Sequence, residues 1–144
     1  MKALCTDRDQ STLEVRDLPD PIPGRGEVRV RVAASALNPA DQKVLSGQLV
    51  GKILHGRARP IVVGYDLAGT VDAVGDGADL AVGDEVFGHL AYGRATRRGA
   101  FAEAAIIPAT NLARRPRALS PGDACAIATA GCTALQALRD RGRL

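Results

Sequence analysis

Aromatic side chains are nearly missing from this chain. Its 144 residues hold two tyrosines, two phenylalanines and no tryptophan. Four rings make no stacking platform, which argues against single-stranded nucleic acid as a partner. Lysine is scarce as well: Lys2, Lys43 and Lys52 stand among 19 basic residues. The net charge of +3 is scattered, apart from small clusters at Arg94, Arg97, Arg98 and at Arg114, Arg115, Arg117. Mixed-sign solvated loops are expected there, not a nucleic-acid groove. Cysteine is few and odd in number: Cys5, Cys125 and Cys132. Such a set does not read as a disulfide framework. Cys125 and Cys132 share one face if their segment is a continuous helix, and both are expected to be buried thiols. No apolar run approaches the ~20 residues of a membrane span. The start, "MKALCTDRDQ", has no apolar core of a secretory leader, so the expected compartment is the cytoplasm.

What is abundant is punctuation. Sixteen glycines and eight prolines are spread along the whole chain. Many turns between short elements follow, so a β-rich fold is expected. The length suits one core built without staples.

"MKALC" and "STLEVRD" read as short strands, followed by an extended connector set by Pro19, Pro21 and Pro23. "EVRVRVAASAL" alternates cleanly, with Val28, Val30 and Val32 facing one way and Arg29 and Arg31 the other. Next comes "ALNPADQKVLSG", a short helix. Asn38 is its N-cap, Pro39 its first residue and Gly47 its stop. Asp41 falls in the first turn, where the helix dipole favours a carboxylate. Capping explains Asn38, Pro39 and Asp41, and leaves Lys43 unexplained. "QLVGKILHGRARP" reads equally as a helical turn or a loop. "IVVGYDLAGTVDAVG" is a strand, a glycine break and a second strand. A turn at Asp76-Gly77 leads to another strand from about Asp84. "AYGRATRRG" is a polar loop and "AFAEAAIIP" a strand. "SPGD", Ser120 to Asp123, opens an alanine-rich helix or helix pair that Gly131 is placed to break. Strands thus come first and helices last, with no βαβ alternation, so a parallel sheet is not expected.

Motif physics adds little. Gly75-Asp76-Gly77 begins a dinucleotide fingerprint, but position 80 is Leu and no βαβ unit surrounds it. No H-E-x-x-H or C-x-x-C pattern exists for zinc. His55 and His89 read as loop residues, not ligands.

Taken together, "EVRVRVAASALNPADQKVLSG", "PIVVGYDLAGTVDAVGDGADLAVGDEVFG" and "GAFAEAAIIPATNLARRPRALSPGDACAIATAGCTALQAL" resemble the N-terminal half of the medium-chain dehydrogenase/reductase superfamily. The second block is the most specific. It resembles the family's G-x-(D/E)-x-x-G-x-V-x-x-V-G pattern followed by V-G-D-x-V. The resemblance implies a mainly β, GroES-like, partly open barrel with short helices and a C-terminal helical segment. It places a GroES-like catalytic domain at residues 1–120. A helical segment at 121–144 would lead towards a Rossmann domain absent from this sequence.

The zinc branch of that family has Cys where this chain has Asn38, and a His-Glu pair where it has Tyr65-Asp66. Its four-cysteine lobe has no counterpart here. An amide and a phenol are poor zinc ligands. The resemblance therefore points to the zinc-less quinone oxidoreductase-like branch, with no metal. "NPADQK" is similar to that branch's N-P-x-D-x-K signature. By that likeness Lys43 would contact the cofactor and hold the substrate oxygen. Asn38 would lie at the nicotinamide end, and Asp41 would cap the helix and orient Lys43. Thr133 of "GCTALQAL" would also lie near the nicotinamide. Tyr65 joins Lys43 as a candidate donor to the oxygen.

The implied activity is NADPH-dependent hydride transfer to a conjugated carbonyl. The implied substrate is a small quinone, enone or aldehyde. No nucleic acid or membrane is expected; a homodimer is one assembly the resemblance allows, and the sequence does not fix the oligomeric state. The preference between NADPH and NADH would be set in the second domain. The isolated chain, as a fragment or a natural truncation, is expected to be inactive. The alternative is a stand-alone GroES-like binding or assembly module without catalysis. A co-chaperonin ring subunit is a weaker third reading.

Overall fold

The alternating valines and arginines build the central strand. The computed structural model describes residues 1–6, 13–45, 60–91 and 99–142. Its strands are β1 (Lys2–Thr6), β2 (Leu13–Asp17), β3 (Glu27–Ala36), β4 (Ile61–Val62), β5 (Asp66–Val74), β6 (Glu85–His89), β7 (Ala104–Pro108) and β8 (Leu112–Arg114). Its helices are α1 (Pro39–Leu45) and α2 (Pro121–Leu135), the latter running into a π-helical turn at Gln136–Arg141. In β3, Val28 and Val30 are fully buried while Arg31 is exposed. Arg29, on the outer face, pairs with Asp72 of β5 at 2.7 Å.

Five strands form one sheet in the order β7-β3-β5-β6-β8, and three form another in the order β2-β1-β4. Every ladder among the described residues is antiparallel. Residues 101–103 stitch the sheets together. Leu4 donates to the Phe101 carbonyl (2.8 Å) and Glu103 donates to the Lys2 carbonyl (2.9 Å). The result is the mainly β, open GroES-like architecture that the resemblance implied.

Strand β5 is covered on both faces. Leu67 joins the main core with Val30, Val71, Val86 and Ile107, while its neighbour Ala68 packs under α2. Successive side chains point to opposite faces, so adjacent buried residues mean two covered faces. Burying each valine or leucine contributes about 1.5–3 kcal/mol. At Gly69 a Cβ would sit 2.1 Å from the Arg31 carbonyl oxygen, so glycine lets β3 and β5 close up beside a β-bulge.

Several expectations narrow or change. Of the two readings of the C-terminal segment, the single helix is the one formed, and α2 runs through Gly131. One glycine costs about 1 kcal/mol in a helix interior, and the alanine-rich flanks carry it. Cys125 is buried but Cys132 is exposed, although seven residues keep them on one helix face. The helix has outrun its cover: Ala124, Cys125 and Ala128 are its buried residues. His89 closes β6 instead of sitting in a loop. Strand β8 and the 3₁₀ turn Ala109–Asn111 before it were not foreseen. The helix stop at Ser46 and Gly47, residues 48–59 with His55, and the Arg94, Arg97, Arg98 cluster lie outside the described residues. Among the described residues no helix is long and apolar enough to cross a membrane.

Candidate active site

The site grows from the junction of β3, α1 and β5. Asn38 stands at the N-cap position of α1, and its carbonyl accepts from the Asp41 N–H at 3.0 Å. The expected side-chain cap is reversed. The Asp41 carboxylate turns back and its Oδ2 accepts the Asn38 N–H at 2.7 Å. Its Oδ1 accepts the Gly64 N–H at 3.1 Å. Asp41 is fully buried, so it is no ordinary first-turn carboxylate facing water. Gly64 has φ +95°, and a Cβ there would lie 2.8 Å from the Phe101 nitrogen. Only glycine suits that turn, which aims its N–H at Asp41.

The amide of Asn38, freed from capping, donates to Asp66 Oδ2 at 3.0 Å. Asp66 is 1% exposed. It also accepts from the Thr129 N–H at 3.3 Å and from the Thr129 hydroxyl. The Ser35 hydroxyl donates to the Asp66 carbonyl at 2.7 Å, fixing its backbone. One carboxylate thus joins the entry to α1 with the middle of α2.

Burial pushes the Asp41 carboxyl above its ordinary range. The Asn38 and Gly64 N–H groups oppose that, and the nearby Asp66 charge adds to it. Burial, helped by Asp66, raises the Cys125 thiol to about 11, against a backbone hydrogen bond from Ala36. Cys125 therefore stays protonated at neutral pH and is no nucleophile.

The residues expected from the sequence fall in two layers. Asn38 is half-buried and part of the Asp66 network. Tyr65 is 2% exposed and packs in the main core. Lys43 is exposed on α1. Thr133 is exposed on α2, one turn past Thr129, and its hydroxyl donates to the Thr129 carbonyl at 2.8 Å. Asp66 and Thr129 were not among the expected site residues. A lone carboxylate inside the apolar run "IVVGYDLAG" was the available signal, because a buried charge needs partners. Thr129 carried no comparable signal within an alanine-rich helix. A cleft of about 520 Å³ lies elsewhere, bordered by Met1, Asp20, Arg31, Asp72 and Glu103, and touches none of these residues.

Residues 24–117 match the alcohol dehydrogenase GroES-like domain. The chain belongs to that family. This GroES-like domain is 34% identical over 127 residues to the chloroplast envelope quinone oxidoreductase homolog of Arabidopsis thaliana, covering 88% of the chain and 37% of that protein. It superposes on the quinone oxidoreductase from Coxiella burnetii with a TM-score of 0.85 and 30% identity, covering 97% of this chain and 44% of that one. A mycobacterial structure complexed with NADPH matches with a TM-score of 0.81 and 29% identity, over 100% of this chain and 42% of that one. The GroES-like domain therefore spans less than half the length of these relatives.

Proposed function

We propose that this GroES-like domain is the substrate-holding half of an NADPH-dependent, zinc-independent reductase. Its substrate would be a small quinone or enone, and hydride would go to the conjugated carbonyl. The observation that carries the reading is the pairing of an exposed Lys43 with a rigidly anchored helix start. Asp41 ties that start to Gly64, and Asn38 ties it to Asp66. When bound, NADPH supplies the hydride. Hydride addition at the β-carbon builds negative charge on the carbonyl oxygen. Lys43, the exposed donor, is the proposed group that stabilises it, because Tyr65 is packed in the main core at 2% exposure. Asn38 and Thr133 would line the nicotinamide end.

Zinc does not fit the donor set. Asn38 presents an N–H, not a lone pair, to the shared carboxylate. Both Asp66 oxygens already accept hydrogen bonds from Asn38 and Thr129. No step is therefore routed through a metal, and the domain is proposed to work without one.

The test joins this domain to the second half of a full-length quinone oxidoreductase relative. Lys43→Ala should lower kcat/KM for NADPH-dependent enone or quinone reduction by about 10²–10³. Lys43→Arg keeps the charge but changes donor geometry, and should recover part of the activity. A Lys43→Ala value within about threefold of the parent, only ~0.7 kcal/mol, would sink the reading.

A further inference from the structure

We propose that Asp66 is a positioning residue, a single buried carboxylate that couples the helix carrying Lys43 to the helix carrying Thr133. The inference rests on the reduction reading for what those two side chains do. The coupling itself rests on geometry. Asp66 lies at the first position of β5, and its backbone is held by the Ser35 hydroxyl. Its Oδ2 accepts the Asn38 amide at 3.0 Å, and Asn38 immediately precedes α1. The same oxygen accepts the Thr129 N–H at 3.3 Å, and Oδ1 accepts the Thr129 hydroxyl. Thr133 in turn donates to the Thr129 carbonyl, so its hydroxyl is placed one turn from the clamp.

A plain staple for α2 would need no Asn38. The N-terminus of α2 is already secured, since Ser120 accepts the Asp123 N–H at 3.1 Å and caps the helix. Ala124, Cys125 and Ala128 bury its first half. Nor does α1 need Asp66 to start, because Asp41 performs the reciprocal capping. The Asp66 contacts are extra to both helices. What they add is a fixed relation between the two. A buried carboxylate strongly resists losing a donor, so a change on one helix is felt at the other.

The test uses the 144-residue chain and needs no turnover. Thr129→Val removes the hydroxyl donor at nearly constant volume. By NMR it should speed amide exchange in α1 by about tenfold and shift the Lys43 and Thr133 amide signals. Thr129→Ser, which restores the hydroxyl, should reverse these changes. In unfolding titrations, Asn38→Ala and Thr129→Val should not multiply. The double variant's equilibrium constant should depart from the product of the singles by about threefold or more. Asn38→Ala with Ser120→Ala is the control pair on the same elements, and it should multiply. If Thr129→Val moves α2 signals and leaves α1 untouched, or if the Asn38–Thr129 pair multiplies like the control, the positioning role is overturned. That failure is separable from failure of the reduction reading, which the Lys43→Ala turnover test probes alone.

Discussion

The two halves of α2 share a composition and differ in everything else. From Pro121 to Thr129 the helix buries Ala124, Cys125 and Ala128, and the first two pack with Ala34, Ala36, Ala68, Phe87 and Leu119. From Ala130 onward no described residue is buried, and Leu135 and Leu138 are each 56% exposed. Both halves are rich in alanine with a few larger apolar residues. The sheet beneath decides which half is covered. Small residues on β3 and β5 let the first half approach closely, and Asp66 grips Thr129 where the cover ends. Asp41, Asp66 and Thr129 belong to a hydrogen-bonded floor in which both carboxylates are buried, whereas Lys43 and Thr133 are exposed and form the rim only of the proposed site. Floor residues should govern stability and rim residues reactivity.

The harshest test of this division places an arginine on each half. Ala128 is 2% exposed, so Ala128→Arg forces a long charged side chain into a close-packed interface. It should cost more than about 4 kcal/mol or abolish folding. Ala134→Arg on the exposed half should stay within about 0.5 kcal/mol. Urea unfolding reads both, and equal midpoints would erase the distinction.

The same division marks what the sequence could and could not disclose. The alternation in β3, the glycine break before β5 and the Ser120 cap are local signals, and each has its element. The order of strands before helices was enough to exclude a parallel sheet. The floor was less legible because it is built by distant pairs: Asn38 with Asp66, and Asp66 with Thr129, 28 and 63 residues apart in sequence. Spacing rules see a cap at Asn38. They do not see a buried carboxylate competing for its amide. Cys132 fails for the mirror reason, since helical periodicity fixes a face and says nothing of where the covering sheet stops. Strand β8 is only three residues long, Leu112 to Arg114, and two of the three are exposed, so it is too short to show an alternating pattern.

Thiol labelling sharpens the comparison along a single helix. Cys132 is exposed, whereas Cys125 and Cys5 are buried. With its thiol at about 11, Cys125 is thiolate in roughly one molecule per thousand at pH 8. A maleimide should therefore modify Cys132 at least about a hundredfold faster than the other two in the native chain. Mass spectrometry of short reactions assigns the sites. Comparable labelling of Cys125 and Cys132 would mean that the first half of α2 opens as readily as the second.

The smallest effect is expected at the floor's other carboxylate, where two forces oppose each other. Asp41→Ala leaves the Asn38 and Gly64 N–H groups without their acceptor, a penalty of about 1–3 kcal/mol near pH 3. That penalty should depend on pH in a set direction. Burial holds the folded-state pKa of Asp41 above its unfolded value of about 3.9. Between those two values the native chain binds more protons at this position than the unfolded chain. Its contribution to stability therefore falls as pH rises from the unfolded value through the folded one. Alanine does not titrate, so the gap between parent and variant should narrow between pH 3 and pH 7. Chemical denaturation at several pH values measures it directly. A gap that widens with pH would mean that the Asn38 and Gly64 hydrogen bonds outweigh desolvation, and that this part of the floor is organised around an ionised Asp41.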